Sequence, residues 1–216
     1  MGNPRANSPQ RFLVLWEEFS GPLFDGPFQS DLELIRAIEV QEDALRAYAP
    51  KRPFARRRLA TLRRQRDGGG HEHEVYVPEN AKESGIVWKI TRPGRWGLVR
   101  ATPREYLRRL DRLDANSGTN IQVEGIALSE HRIPLIVTSM AYIPGVHPNG
   151  HQLDRRLREE GWELMNDPDQ MQTYRLKSDG TLMRDAHPRN FVLTTGGYLV
   201  PIDVIFVGEG KFHTHG

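Results

Sequence analysis

The chain has 216 residues, a formal net charge of +2, 38% hydrophobic residues and no cysteine. That length suits one domain, or one domain with an arm, large enough to bury a real core. Disulfides and thiolate chemistry are excluded, the near-neutral charge selects no partner class, and no apolar run approaches the roughly 20 residues that a bilayer span needs, so no membrane partner is expected.

The first ten residues are polar and rich in Pro and Asn, which predicts a mobile terminus, and they lack a signal-peptide apolar core. With no cysteine, this fits a reducing, cytoplasmic setting. Phe12 to Trp16 is a short apolar run, followed by a loop over the Gly- and Pro-punctuated segment 21–28. Ser30-Asp-Leu-Glu33 is a capping-box signature. It predicts a packing helix to about Ala49, stopped by Pro50, with Leu34, Ile35, Ile38 and Leu45 on its buried face.

Residues 51–66 are strongly basic: Lys51, Arg52, Arg56, Arg57, Arg58, Arg63, Arg64 and Arg66, with Phe54, Leu59 and Leu62 between them. A helical arm of this kind suits phosphate contacts with a nucleic acid or binding to an acidic partner. A solvated helix face docked through its few apolar residues is the plainer reading of such a charge run. Asp67 and Gly68-Gly69-Gly70 end the arm.

Strands are predicted over His73–Val77 and Ile86–Ile90, joined by a turn-rich segment. Alternation puts Val87 and Lys89 on one face of the second strand. Lysine is depleted in strands, and a buried one needs a partner. Thr102-Pro-Arg-Glu105 starts another helix, with Tyr106, Leu107, Leu110 and Leu113 as its buried stripe.

Ile121–Ala127 and Pro134–Thr138 read as strands joined by the turn Ser129–Arg132, and Met140-Ala-Tyr-Ile-Pro-Gly145 follows as an extended exit. Leu153–Met165 is predicted as a helix burying Leu153, Leu157, Trp162 and Leu164. Gln172–Leu176 and Thr181–Met183 form a small hairpin around Ser178-Asp-Gly180 that delivers the chain to Asp185.

Two apolar runs, Phe191–Thr195 and Tyr198–Ile202, flank Gly196-Gly197 and predict a β-hairpin with a two-residue turn. In that register Thr195 faces Tyr198 and Asn190 faces Asp203, with Cβ atoms about 5 Å apart. An amide oxygen and a carboxylate side by side are hard oxygen ligands of the kind Mg²⁺ accepts alongside water and phosphate. Asp185, in a segment broken by Pro188, offers a second carboxylate. His71, His73, His187, His213 and His215 lack the closed spacing of a zinc motif.

The order Asp185-x-His187-x-x-Asn190, hairpin, Ile202-Asp203 resembles the protein-kinase-like superfamily, which includes aminoglycoside phosphotransferases and small bacterial and phage kinases. The likeness runs from about His71 to Phe206 and is closest to the compact serine/threonine/tyrosine-kinase-like domain of phage and mobile-element polyvalent proteins. It rests also on Glu-His-Glu-Val-Tyr (72–76), Tyr-Leu-Arg-Arg-Leu (106–110), Asp-Ala-His-Pro-Arg-Asn (185–190) and Val-Pro-Ile-Asp-Val-Ile (200–205).

The resemblance implies an α+β, minimal kinase-like fold. Residues 1–66 would be a helical, basic extension. Residues 67–216 would be the kinase-like domain: an antiparallel-sheet N-lobe (67–139) with one main helix, a hinge (140–145), and a truncated C-lobe (146–216) carrying the catalytic-loop hairpin. It implies ATP and Mg²⁺ as cofactors and a hydroxyl-bearing phosphoacceptor, a protein Ser, Thr or Tyr favoured.

By the same resemblance Asp185 is the base. Lys89 grips the α- and β-phosphates, Val87 roofs the adenine, and Met140 and Tyr142 lie in the hinge that binds it. Asn190 and Asp203 hold the metal, and His187 orients the catalytic loop or approaches the transferred phosphate. Glu105 is a candidate partner for Lys89; its capping role is an equal explanation, and Asp111 and Asp114 are rivals. Gly68–Gly70 corresponds to the glycine-rich turn but departs from Gly-x-Gly-x-x-Gly and reads equally as a linker.

Met183 stands where such kinases carry a His. The short stretch after Asp203 leaves no room for an activation segment or substrate-docking helices, so the acceptor platform would come from residues 1–66, another chain or the acceptor itself. A nucleotide-binding pseudokinase and a basic-arm nucleic-acid-binding protein remain alternatives.

Overall fold

The computed structural model describes residues 6–23, 27–55, 63–64, 72–77, 85–97, 101–166 and 171–208. The glycine run 68–70, His71, His213, His215 and most of the basic stretch lie outside the described residues. The chain is α+β and divides into two compact units, one of residues 1–111 and 120–142, the other of residues 112–119 and 143–216.

The first unit begins with α1 (Pro9–Ser20). Ser8 caps it by accepting from the Arg11 amide, and Pro9 sits at the first turn, where its missing N–H costs nothing. The polar terminus expected through Gln10 is thereby corrected. Phe12, Leu13 and Trp16 are the buried side of α1. Helix α2 (Asp31–Tyr48) starts at the predicted Ser30 cap. Its buried face is Leu34, Ala37, Gln41, Leu45 and Tyr48. The expected face is corrected at Ile35, which is 51% exposed, because the i, i+3, i+4 series from Leu34 runs through Ala37 and Gln41 instead.

A five-stranded antiparallel sheet follows, in the order β1-β2-β3-β5-β4. Its strands are β1 (Arg63–Arg64), β2 (His73–Val77), β3 (Ile86–Thr91), β4 (Gln122–Leu128) and β5 (Pro134–Ala141). The continuous helical arm expected over 51–66 is corrected at both of its described ends. Lys51 closes a short 3₁₀ turn, Pro53 bridges Ile126, and the Phe54 amide donates to the Ile126 carbonyl at 3.0 Å. Arg63 and Arg64 pair with Val77 and Tyr76. A proline in the interior of a continuous α-helix would break it, as Pro53 would here, and apolar Phe54 gains by joining the core of Ile90, Ala127, Leu135 and Val137.

Helix α3 (Pro103–Ser117) lies in sequence between β3 and β4. Tyr106, Leu107, Leu110 and Leu113 are buried, as their spacing predicts. The N-terminal helices are fastened to its start. The Arg104 amide donates to buried Gln41, and the Arg104 side chain pairs with Glu17 and donates to the Leu23 carbonyl. Just ahead of α3, Trp96 donates to Glu42 at 2.8 Å. Residues 6–55 fall in the same compact unit as the sheet.

The second unit contains β6 (Gly145–Val146), α4 (Gly150–Glu159), β7 (Trp162–Met165), β8 (Thr173–Leu176), β9 (Leu182–Arg184), β10 (Phe191–Thr194), β11 (Leu199–Pro201) and β12 (Ile205–Val207). They form a three-stranded sheet, β11-β10-β6, and a four-stranded sheet, β12-β9-β8-β7. The helix expected over 153–165 is corrected: α4 stops at Glu159, and Gly161, at φ +88°, turns the chain out. Trp162–Met165 then pairs with β8, leaving Leu164 exposed. Glycine accepts this left-handed backbone at no steric cost, which is why it ends helices. Among the described residues no helix is long and apolar enough to cross a membrane.

Candidate functional site

The β10–β11 hairpin carries a correction that alters the site. Its ladder pairs Phe191 with Pro201, Val192 with Val200 and Leu193 with Leu199, one residue out of the expected register. The loop has three residues, Thr195-Gly196-Gly197, not two. The Thr194 carbonyl accepts from the Gly197 amide at 3.0 Å, and the Thr194 amide donates to the Tyr198 carbonyl at 2.9 Å. Gly197 is left-handed at φ +83°, and the Tyr198 amide is taken up by the Thr194 hydroxyl at 3.1 Å. A type of loop that places a left-handed glycine third is the next commonest after the two-residue turn. Asn190 therefore faces Ile202, whose amide donates to the Asn190 carbonyl at 2.8 Å, and Asp203 is one position beyond. The direct opposition of Asn190 and Asp203 is not observed.

Asn190 is instead drawn to Asp185. Its side-chain nitrogen donates to the Asp185 carbonyl at 2.8 Å and to Asp185 Oδ2 at 3.0 Å. A carbonyl oxygen only accepts, so the nitrogen must be the atom facing it, and the amide oxygen faces away. Asn190 closes a 3₁₀ turn (Pro188–Asn190) whose last amide donates to the His187 carbonyl at 2.9 Å. The turn brings residues five apart into contact.

Asp185 has φ +55°, a left-handed backbone that Asp tolerates better than most residues. The Ala186 amide bonds the Gln172 carbonyl at 2.8 Å, tying this loop to the segment entering β8. His187 Nε2 stands 3.7 Å from Asp185 Oδ1, with both side chains partly open to solvent. Asp203 lies half-buried in the bend between β11 and β12.

The hard oxygens of Asn190, Asp185 and Asp203 fit Mg²⁺ in chemistry. Among the described residues no group of three or more His, Asp or Glu is placed to hold a metal. A cation bound here would draw its remaining ligands from phosphate oxygens and water, as Mg²⁺ commonly does.

In the first unit the register places Val87 opposite Met140 and Lys89 opposite Thr138. Directly opposed residues share a face, so Val87, Lys89 and Met140 line one face of the β3–β5 pair. Lys89 also faces Val75, and His73 shares that face two positions along. Met140 is buried, while Tyr142 is half-buried and donates its amide to the Gly85 carbonyl at 2.8 Å. Of the two roles left open for Glu105, the structure shows the cap: its carboxylate accepts from the Thr102 amide at 2.7 Å, and its own amide donates to the Thr102 hydroxyl at 3.2 Å. His73 is buried and bonds the Tyr106 hydroxyl at 2.9 Å.

Sequence reasoning passed over His147, whose ring bonds the Phe191 carbonyl at 2.7 Å. Its only signal was position, between Val146 and a proline. Comparison with protein-family models, curated proteins and solved structures returns no match.

Proposed function

We propose that the chain is a Mg²⁺- and ATP-dependent phosphotransferase of the protein-kinase-like type, which transfers the γ-phosphate to a hydroxyl of an acceptor, protein Ser, Thr or Tyr favoured. The observation that carries the reading is the Asp185–Asn190 pair. An aspartate with a left-handed backbone is held by an asparagine whose nitrogen faces it, which leaves the amide oxygen on the other side of the group. Supporting it is an antiparallel sheet with one main helix between its third and fourth strands, and a lysine, a valine and a methionine on one sheet face.

In this reading the acceptor oxygen attacks the γ-phosphorus, the bond to the ADP oxygen breaks, and the hydroxyl proton passes to Asp185. Lys89 grips the α- and β-phosphates, and Asn190 and Asp203 hold the cation. When bound, Mg²⁺ neutralises charge on the phosphates. His187, beside Asp185, orients the loop. Catalysis is then mostly positioning and electrostatic stabilisation.

Incubation with γ-labelled ATP, with and without Mg²⁺, tests the proposal. Wild type should label itself or an added protein only with Mg²⁺, and Asp185→Asn and Asp203→Ala should each abolish labelling. Wild-type labelling by both variants rules the assignment out. A Mg-ATP-dependent rise in Tm without any turnover would favour the pseudokinase.

A further inference from the structure

The β6–β10 ladder has a gap that a side chain fills. Strand β6 pairs Val146 with Leu193 and Gly145 with Thr194. Continuing that register puts Pro148 opposite Phe191. Antiparallel strands present their backbone groups alternately to either side. The Ile202–Asn190 and Thr194–Tyr198 bonds show that even-numbered residues of β10 serve β11. The Phe191 carbonyl therefore turns toward β6, where proline has no N–H to offer. His147 supplies the missing donor through Nδ1, 2.7 Å from that carbonyl. Because the acceptor is a carbonyl, Nδ1 must carry the hydrogen, and it does so in both the neutral and the protonated ring.

We infer that His147 is a positioning residue for the cation site: by closing the ladder at Phe191 it fixes the point where β10 leaves the 3₁₀ turn, and with it the orientation of the adjacent Asn190. This rests on the reading of Asn190 as a cation ligand. Partners that orient metal ligands typically cost about 10- to 100-fold in metal affinity when removed.

The test is binding of Mn²⁺ to the full chain in the presence of saturating ATP, with ATP binding in EDTA and Tm measured alongside. His147→Leu should weaken Mn²⁺ by about tenfold and leave cation-free ATP binding unchanged. His147→Asn, whose amide nitrogen occupies the place of Nδ1, should restore it. So should His147→Leu combined with Pro148→Ala, which returns a backbone N–H to the gap. A His147→Leu variant that binds Mn²⁺ like wild type overturns this inference alone, as does loss that neither rescue repairs. A wild type that binds no Mn²⁺ with ATP overturns the phosphotransferase reading and this inference together.

Discussion

The Asp185–Asn190 pair allows stability and chemistry to be separated. Asn190→Ala removes one bond to a neutral carbonyl and one to a carboxylate. Such bonds contribute about 0.5–1.5 and 1.5–3 kcal/mol respectively. The Asp185 side chain is 35% exposed, so water recovers part of the second, and the lower end applies. Releasing Asp185 from φ +55° returns about 1 kcal/mol of backbone strain. The net loss is therefore about 1–2 kcal/mol, against a typical total of about 5–15 kcal/mol, and the variant should remain folded. Asp185→Asn keeps an acceptor for the Asn190 amide and a residue that tolerates the left-handed backbone. It should lose less than about 1 kcal/mol and all phosphate transfer. Urea denaturation measures the first quantity and γ-labelled ATP the second. If Asn190→Ala is as stable as wild type, or if Asp185→Asn still transfers phosphate, the pair does not do what its geometry suggests.

Burial pushes the Glu160 carboxyl up from its ordinary value to about 7, with Arg156 opposing and Glu159 adding to the rise, and its Oε2 is buried without a hydrogen-bond partner. The unfolded chain ionises Glu160 from about pH 4.5 while the folded chain holds the proton to about pH 7, so stability falls across that window and levels off above it. Glu160→Gln should lose this slope and exceed wild type by about 1 kcal/mol at pH 8, after allowing for its partial exposure; parallel melts at pH 4 and 8 decide it. His73→Phe removes the buried bond to the Tyr106 hydroxyl and should cost about 0.5–1.5 kcal/mol in urea denaturation, with no cost if the pair is dispensable. Gly125→Ala would bring a methyl to 2.6 Å from the Arg52 carbonyl at φ +150°, and should lower Tm and expose the 52–54 segment to protease; an unchanged Tm would mean that segment does not lie on β4.

Much of the fold was legible where local chemistry decides it. The Ser30 and Thr102 caps, the stripe on α3 and the β8–β9 hairpin depend on neighbours a few residues away. The failures came where one residue type serves two purposes. Trp162 reads as the next helical apolar position, yet Gly161 had already ended α4. Arg63 and Arg64 read as an arm but form an edge strand. Gln41 carries no apolar signal, and its burial follows only from the amide at the start of α3 that it satisfies. Ser8-Pro9 was a readable helix start, passed over because the surrounding composition suggested a loose terminus.

The site divides along the same line. Asp185 and Asn190 are five residues apart across a single 3₁₀ turn, so their contact survives any error in long-range pairing. The relation of Asn190 to Asp203 runs through a hairpin loop, and one extra residue in that loop moves every opposed pair by one. Thr195 enters the loop because the Thr194 hydroxyl satisfies the Tyr198 amide and Gly197 takes the left-handed position, an arrangement as compatible with Thr-Thr-Gly-Gly-Tyr as the two-residue turn. The observed link between the Asn190 segment and the strand leading to Asp203 is a backbone bond, the Ile202 amide to the Asn190 carbonyl, and not a matched side-chain pair. A cation site of the proposed kind would depend on the stiffness of the strands around it. The donor lent by His147 stands beside Pro148, which has no N–H of its own to give that ladder.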